Sequence, residues 1–306
     1  MNPLWGIDLG GTKIEGVVIK SKDNPEVLAR LRVPTEQEGG YQHIIGQIGK
    51  LIDLLKKETG LEPERIGMGT PGTLDPRLQT MKNSNTTVFN GKPFPKDLQN
   101  ALNIPFTLAN DANCFAVAEA RFGAAHEVAP DASVVFGIIL GTGVGGGVVL
   151  DGRAIPGKQG LAGEWGHNFL DESGGRCYCG KIGCVERMIS GPALERYYES
   201  LTGTKLKLPD IYDRKDSDEA ARKTVQRLTY YFGKAVSVLI NILDPEVIVI
   251  GGGVGNIAEI YTDGVDAARE YVFNTGAHHI DRLDTVFLKP KLGDSAGVFG
   301  AALLVA

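Results

Sequence analysis

Between Gly163 and Glu186 the chain reads GEWGHNFLDESGGRCYCGKIGCVE. Cys177, Cys179 and Cys184 crowd into eight residues, and His167 stands ten residues before the first of them. One imidazole and three thiolates make the ligand set of a tetrahedral Zn²⁺. Four protein ligands leave no coordination position for a substrate, so the pattern points to a structural metal. The spacing is tighter than paired Cys-x-x-Cys knuckles, and Gly174, Gly175, Gly180 and Gly183 supply the turns that such a wrap requires. The competing reading is three reduced, unliganded thiols, which a loop this polar and glycine-rich does not favour. Glu164 and Glu186 flank the cluster, so a metal there would pin two carboxylates. Cys114, far from the group, reads as an inert helix residue.

Other residues suggest phosphate chemistry. Asp8-Leu9-Gly10-Gly11-Thr12-Lys13 closes an apolar run, where a bare carboxylate is costly unless paired or near a cation. Asp8 would hold Mg²⁺ through water while Gly11 and Thr12 meet phosphate; the bland alternative is an ordinary turn. The segment lacks the Gly-x₄-Gly-Lys-Ser/Thr pattern of a P-loop. Asn110-Asp111-Ala112-Asn113 follows a short strand and opens a helix, which puts Asp111 at a strand's carboxyl end, where open α/β sheets place ligands. Local sequence alone also allows Asp111 or Asn113 to be only the helix cap. Gly251-Gly252-Gly253 ends another strand and would admit a flat ring against backbone, but it lacks the third glycine of a dinucleotide fingerprint.

The elements that must carry these residues alternate. Strands are expected at Leu4–Leu9, Lys13–Ile19, Val27–Val33, Arg65–Gly69, Pro105–Ala109, within Val134–Leu150, and at Glu246–Ile250. Helices are expected at Tyr41–Thr59, where Ile44, Ile45, Ile48, Leu51, Ile52 and Leu55 share one face, then after Asp111, and at Pro192–Leu201, Asp218–Leu243 and Gly297–Val305. Such alternation implies α/β layers with buried sheets. The chain also resembles itself. Gly6–Ile19 (GIDLGGTKIEGVVI) and Gly137–Leu150 (GIILGTGVGGGVVL) share Gly6/Gly137, Ile7/Ile138, Leu9/Leu140, Gly10/Gly141, Gly16/Gly147, Val17/Val148 and Val18/Val149 at a constant offset of 131 residues. Two strand–glycine turn–strand units at equivalent places favour one nucleotide held between two domains over two unrelated hairpins.

Composition narrows the class. Of 306 residues 42% are apolar, which fits two α/β domains. With 37 acidic residues against 32 basic and no long run of one sign, nucleic acid is not the expected partner. Forty-one glycines suggest several loops that approach a ligand closely. No signal-like segment opens the chain, and its apolar runs are only of strand length, so a soluble, cytoplasmic protein with no membrane partner is expected.

In combination these residues resemble the ROK family, which groups bacterial sugar kinases with sugar-responsive repressors. The resemblance rests on Asp8–Lys13, Gly69-Thr70-Pro71-Gly72, Asn110–Asn113, Leu140–Gly147, Gly163-Glu164-Trp165-Gly166-His167, the cysteine cluster ending in Glu186, and Gly251–Gly253, and it runs essentially the whole chain. It implies an α/β, two-lobed sugar kinase/Hsp70/actin-like (ribonuclease H-like) ATPase fold. Residues 1–112 and 292–306 would form the small lobe and 113–291 the large one. It further implies ATP and Mg²⁺ as cofactors, structural Zn²⁺ on His167, Cys177, Cys179 and Cys184, and a homodimer. The nucleotide would be held by Asp8, Gly10, Gly11, Thr12, Lys13, Gly141, Thr142, Gly143, Gly252 and Gly253. Asp111 would be the catalytic base, taking the proton from the attacking hydroxyl. Asn110, Glu164, His167 and Glu186 would orient sugar hydroxyls, His167 keeping one ring nitrogen on zinc and turning the other to the sugar.

Lys82–Asn85, Asn90–Phe94 and Gly163–His167 look most like fructokinases and mannokinases, which makes fructose, mannose or glucose the expected hexose and its 6-phosphate the product. N-acetylglucosamine or N-acetylmannosamine is the alternative substrate. A repressor is disfavoured because the first strand begins near residue 4, and a non-catalytic sensor because Asp111 and both phosphate turns are retained. The stretch from His167 to Cys177 is shorter than in many close relatives, a departure that alters a loop near the sugar.

Overall fold

The computed structural model describes residues 2–273 and 283–306. Strands run β1 Leu4–Leu9, β2 Lys13–Ile19, β3 Val27–Pro34, β4 Ile66–Thr70, β5 Thr73–Leu74, β6 Met81–Lys82, β7 Phe106–Asn110, β8 Val134–Leu140, β9 Val144–Leu150, β10 Arg153–Ala154, β11 Val247–Gly251 and β12 Val286–Leu288. Helices run α1 Gly40–Thr59, α2 Phe94–Leu102, α3 Asp111–Arg121, α4 Ala124–Val128, α5 Val185–Ile189, α6 Gly191–Thr202, α7 Leu208–Tyr212, α8 Glu219–Leu243, α9 Asp263–Arg269 and α10 Ala296–Leu303. No helix among the described residues is long and apolar enough to cross a membrane.

Two five-stranded sheets share one plan. The first is ordered β3-β2-β1-β4-β7 and the second β10-β9-β8-β11-β12. In the first, β1 pairs antiparallel with β2 and parallel with β4, and β4 runs parallel to β7. In the second, β8 runs parallel to β11 and β11 to β12, while β10 pairs antiparallel with β9. The repeat at an offset of 131 residues thus falls on the corresponding central strands, β1–β2 and β8–β9.

The chain divides into two compact units, Met1–Gly123 with Gly147–Ala162 and Leu292–Ala306, and Ala124–Gly146 with Gly163–Lys291. The sequence reading divides the chain after residue 112. The units instead keep α3 and residues 147–162 in the first, because α3 packs against α10, β4 and β10.

In the first unit the alternation of β2 sorts its side chains by face. Val18 joins the core formed with Ile44, Ile48, Leu51 and Leu55 of α1, whereas Val17 and Ile19 pack against Val298 and Ala302 of α10. Each aliphatic side chain so buried contributes about 1.5–3 kcal/mol. Helix α1 ends where Gly60 turns left-handed at φ 68°, its N–H donating to the Lys56 carbonyl. In the second unit β11 is buried along its whole length, and α8 packs against α5, α6 and α9. Asp218 caps α8 by accepting from the N–H groups of Ala220 and Ala221.

Candidate functional site

In the first unit the β1–β2 turn is braced from outside. The Gly10 N–H donates to the Lys13 carbonyl at 3.0 Å, and the Thr35 N–H donates to the Thr12 carbonyl at 3.0 Å. Thr35 Oγ1 donates to the Gly10 carbonyl at 2.7 Å, and Gln37 Nε2 donates to the Gly11 carbonyl. With these carbonyls tied back, amide hydrogens remain for an anion, the arrangement of a backbone nest. Gly10 and Gly11 line a cavity of about 480 Å³ together with Asp8, Gln37, Asn85, Thr86 and Asp111. Lys13 begins β2, and its charge favours the Asp8 carboxylate.

Asn110 caps α3. Its backbone is extended, and its Oδ1 accepts from the Asn113 N–H at 2.8 Å. The cap is therefore neither Asp111 nor Asn113. Asp111 accepts only from its neighbour Ala112, at 2.8 Å, and its side chain stands open toward the cavity. The protein crowded around this carboxyl raises its pKa above the ordinary value, more than the backbone hydrogen bond lowers it. Asp8 is pushed up to about 6, by burial first and then by the charges of Asp111 and Glu15. Glu15 faces Asp8 across the β1–β2 ladder and is itself paired with Arg30 and Arg32. Carboxylates crowded in this way fit a divalent cation, which would relieve their repulsion.

The loop from Asn83 is held by Asn90, whose Oδ1 accepts from the Ser84 N–H and whose Nδ2 donates to the Ser84 carbonyl, both at 2.9 Å. Phe89 and Phe94 stack at 4.8 Å behind it. Asn85 and Thr86 reach the cavity, while Asn90 is spent on the loop itself.

In the second unit the Gly141 N–H donates to the Gly143 carbonyl at 2.9 Å, and the Gly191 N–H donates to the Gly141 carbonyl at 2.9 Å, tying the Gly141-Thr142-Gly143 turn to the start of α6. Glu186 lies in the first turn of α5, and its Oε2 accepts from the Val144 N–H at 3.1 Å. A side chain at residue 143 would put its Cβ 2.7 Å from that oxygen, so glycine is required there. Trp165 is buried and donates from Nε1 to the Gly145 carbonyl at 2.9 Å, bracing β9. Gly252 sits at φ 85°, where a Cβ would lie 2.2 Å from the Leu140 carbonyl; Gly253 beside it faces open space.

His167, Cys177, Cys179 and Cys184 come together, their ligand atoms all within 4.8 Å of one another. Cys177 Sγ lies 3.7 Å from His167 Nδ1, and Cys179 Sγ lies 3.6 Å from Cys184 Sγ. Zinc–sulfur bonds of about 2.3 Å at a tetrahedral centre put sulfurs about 3.8 Å apart, so the set fits Zn²⁺. The remaining ring nitrogen, His167 Nε2, lies 3.0 Å from Tyr178 Oη. The sequence reading turned that nitrogen to the sugar; here a phenol occupies it. Protein packed around this hydroxyl, then Glu186, Cys177 and Glu164, push the Tyr178 pKa to about 12. Glu164 precedes the short helical turn Trp165–His167, and its carbonyl accepts from the His167 N–H at 3.2 Å.

Sequence reasoning thus finds the cavity-lining Asp8, Gly10, Gly11 and Asp111 and the whole Cys/His set. It misses Gln37, Thr86 and Tyr178. Gln37 arrives by the tertiary path of β3 and leaves no local signal, whereas Tyr178 was visible as the residue inside Cys-x-Cys.

The ROK family model matches residues 4–306. The chain belongs to the ROK family. It is 34% identical over 311 residues to the N-acetyl-D-glucosamine kinase of Aliivibrio fischeri, covering 98% of both chains. Its fold superposes on the ROK hexokinase of Thermus thermophilus with a TM-score of 0.86 at 32% identity, covering 99% of this chain and 97% of that one. A ROK family glucokinase from Streptomyces griseus, solved with glucose and AMPPNP, gives 0.74 at 26% identity, covering 99% of both. Within the ROK family this chain is a sugar kinase, with the sugar kinase/Hsp70/actin-like fold.

Proposed function

We propose that this ROK kinase transfers the γ-phosphoryl group of ATP to the primary hydroxyl of a free hexose (fructose, mannose or glucose), giving the 6-phosphate, with Asp111 as general base. One observation carries the reading: Asn110 caps α3, which leaves the Asp111 carboxylate free for chemistry in a cavity that it shares with Asp8 and the Gly10-Gly11 turn.

Asp111 accepts the proton as the hydroxyl oxygen attacks phosphorus, a contribution of about 10²–10⁴-fold. Its raised pKa brings its proton affinity nearer to that task. Lys13 and the N–H groups of Gly11 and Thr12 at one turn, and those of Gly141, Thr142 and Gly143 at the other, take phosphate oxygens, while Gly252 and Gly253 receive the adenosine. Asp8 would hold Mg²⁺ through water, and the bound ion screens phosphate charge. Asn110, Glu164, His167 and Glu186 orient sugar hydroxyls, and positioning of this kind is most of what phosphoryl transfer requires. His167, Cys177, Cys179 and Cys184 would hold Zn²⁺ as a rigid support for the two glutamates. All four cysteines are free thiols, which fits action in the cytoplasm.

A second reading, N-acetylglucosamine as the substrate, is favoured by the 34% identity to an N-acetyl-D-glucosamine kinase across 98% of both chains. Trp165 and Asn90, which suggested the simple hexoses, are engaged in bracing β9 and the Ser84 loop and do not discriminate. A coupled ADP-release assay over fructose, mannose, glucose, N-acetylglucosamine and N-acetylmannosamine tests both. The hexose reading expects the highest kcat/KM on one of the first three. A clear preference for an N-acetylated sugar selects the second reading, and no turnover on any overturns both.

A further inference from the structure

The proposed function leaves a chemical gap at the Cys/His loop. Each sugar hydroxyl both donates and accepts, whereas the ionised Glu164 and Glu186 can only accept. A sugar seated on these two residues therefore needs a donor for its hydroxyl oxygens.

His167 does not supply one. Its Nδ1 faces Cys177 Sγ at 3.7 Å, within the set that fits zinc. A ring bonded through Nδ1 carries its hydrogen on Nε2, and Nε2 lies 3.0 Å from Tyr178 Oη. The imidazole N–H is thus spent on the phenol oxygen, and the phenol's own O–H is passed outward.

Tyr178 is well placed to use it. Its ring stands edge-on to His167 with centroids 5.1 Å apart. Its backbone is fixed between two cysteines of the set, where the Cys177 N–H donates to the Lys181 carbonyl at 2.8 Å and the Gly180 N–H donates to the Cys177 carbonyl at 3.0 Å. Its hydroxyl lies within the electrostatic reach of both Glu186 and Glu164. With 82% of its surface exposed, the residue also leaves room for a ligand against the ring.

We infer that Tyr178, rather than His167, makes the direct contact from this loop to the sugar, its O–H donating to a sugar hydroxyl oxygen while its oxygen accepts from His167 Nε2. This assignment rests on the proposed sugar site and names a binding residue within it. It makes the phenol a specificity element, because a donor at that point favours a sugar presenting an oxygen there.

Tyr178→Phe is the direct test, since it keeps the ring on His167 and removes only the hydroxyl. Glucose and N-acetylglucosamine serve as probes, with Kd measured by calorimetry without nucleotide and KM by turnover. The expected result is a sugar Kd and KM raised about tenfold, the worth of one hydrogen bond. The KM for ATP should stay within about twofold by the same reasoning, since no phosphate contact is removed, and bound zinc should be unchanged by metal analysis. A sugar Kd that is unchanged, or tighter because a self-contact no longer has to be displaced, overturns the assignment while wild-type turnover leaves the proposed function standing. Zinc lost from the Phe variant also overturns it, by making Tyr178 a support of the metal. A wild type that neither binds nor phosphorylates any of the sugars strikes the proposed function itself, and Tyr178 falls with it.

Discussion

Glu186 Oε2 accepts a hydrogen bond from the Val144 N–H at 3.1 Å, so a carboxylate of the Cys/His loop rests on the first residue of β9, beside the Gly141-Thr142-Gly143 turn. One side chain joins the element read as sugar-orienting to the element read as phosphate-binding. Glu186→Gln keeps an oxygen for Val144 but loses the charge, and it should raise the KM for sugar while leaving that for ATP nearly unchanged. Glu186→Ala leaves the Val144 N–H without this partner and should raise both, the ATP value by about tenfold. Gly143→Ala, which drives a Cβ against the same oxygen, should resemble the alanine variant. Steady-state kinetics with each substrate varied separately check this. Identical KM values for ATP in the Gln and Ala variants would break the link.

The metal loop should carry about one zinc per chain, as a single four-ligand site requires. Replacing Cys177, Cys179 or Cys184 with serine should remove it and lower thermal stability and turnover together. Metal analysis of purified protein and melting curves with and without a chelator are the measurements. Active protein free of metal would contradict this reading.

Asp8 gives a pH signature. Its folded pKa of about 6 lies above the unfolded carboxylate value, so the folded state binds this proton more tightly. The resulting stability is fully present below about pH 4 and is lost as pH rises through about 6. At pH 8 the ionised group is a net cost, on the order of 2 kcal/mol given partial solvent access. Asp8→Asn should therefore melt higher than wild type at pH 8, and the gap should close as pH falls toward 4. Melting in metal-free buffer across that range decides it: a gap independent of pH excludes Asp8 as its source.

Much of this was legible in the sequence. Strands β1 and β2 follow from apolar runs broken by glycine, and their counterparts β8 and β9 from the repeat itself. The Cys/His set was legible because ligand types at short spacing bring themselves together. What was hidden depends on tertiary paths. Asn110, Asp111 and Asn113 are all good capping residues, and only the extended backbone of Asn110 shows which one takes the role. Thr35 and Gln37 brace the first turn from 25 and 26 residues away along the chain. Helix α5 has five residues and begins directly after a metal-ligand cysteine, too short for a periodic signal. Trp165 looked like a wall of the sugar site because of its neighbours in sequence, yet its indole N–H is committed to Gly145.

The central claim is that Asp111 is a base and not a cap. Asp111→Asn keeps the size and the oxygen that accepts from Ala112, and it leaves the Asn110 cap on α3 untouched. The variant should therefore fold, melt close to wild type and bind sugar with similar affinity. Because an amide does not take up the proton, kcat on the preferred sugar should fall by about 10²–10⁴-fold. The measurement is kcat by coupled ADP release beside sugar Kd by calorimetry, on the same preparation. A kcat within a few-fold of wild type, with sugar binding intact, would contradict the account.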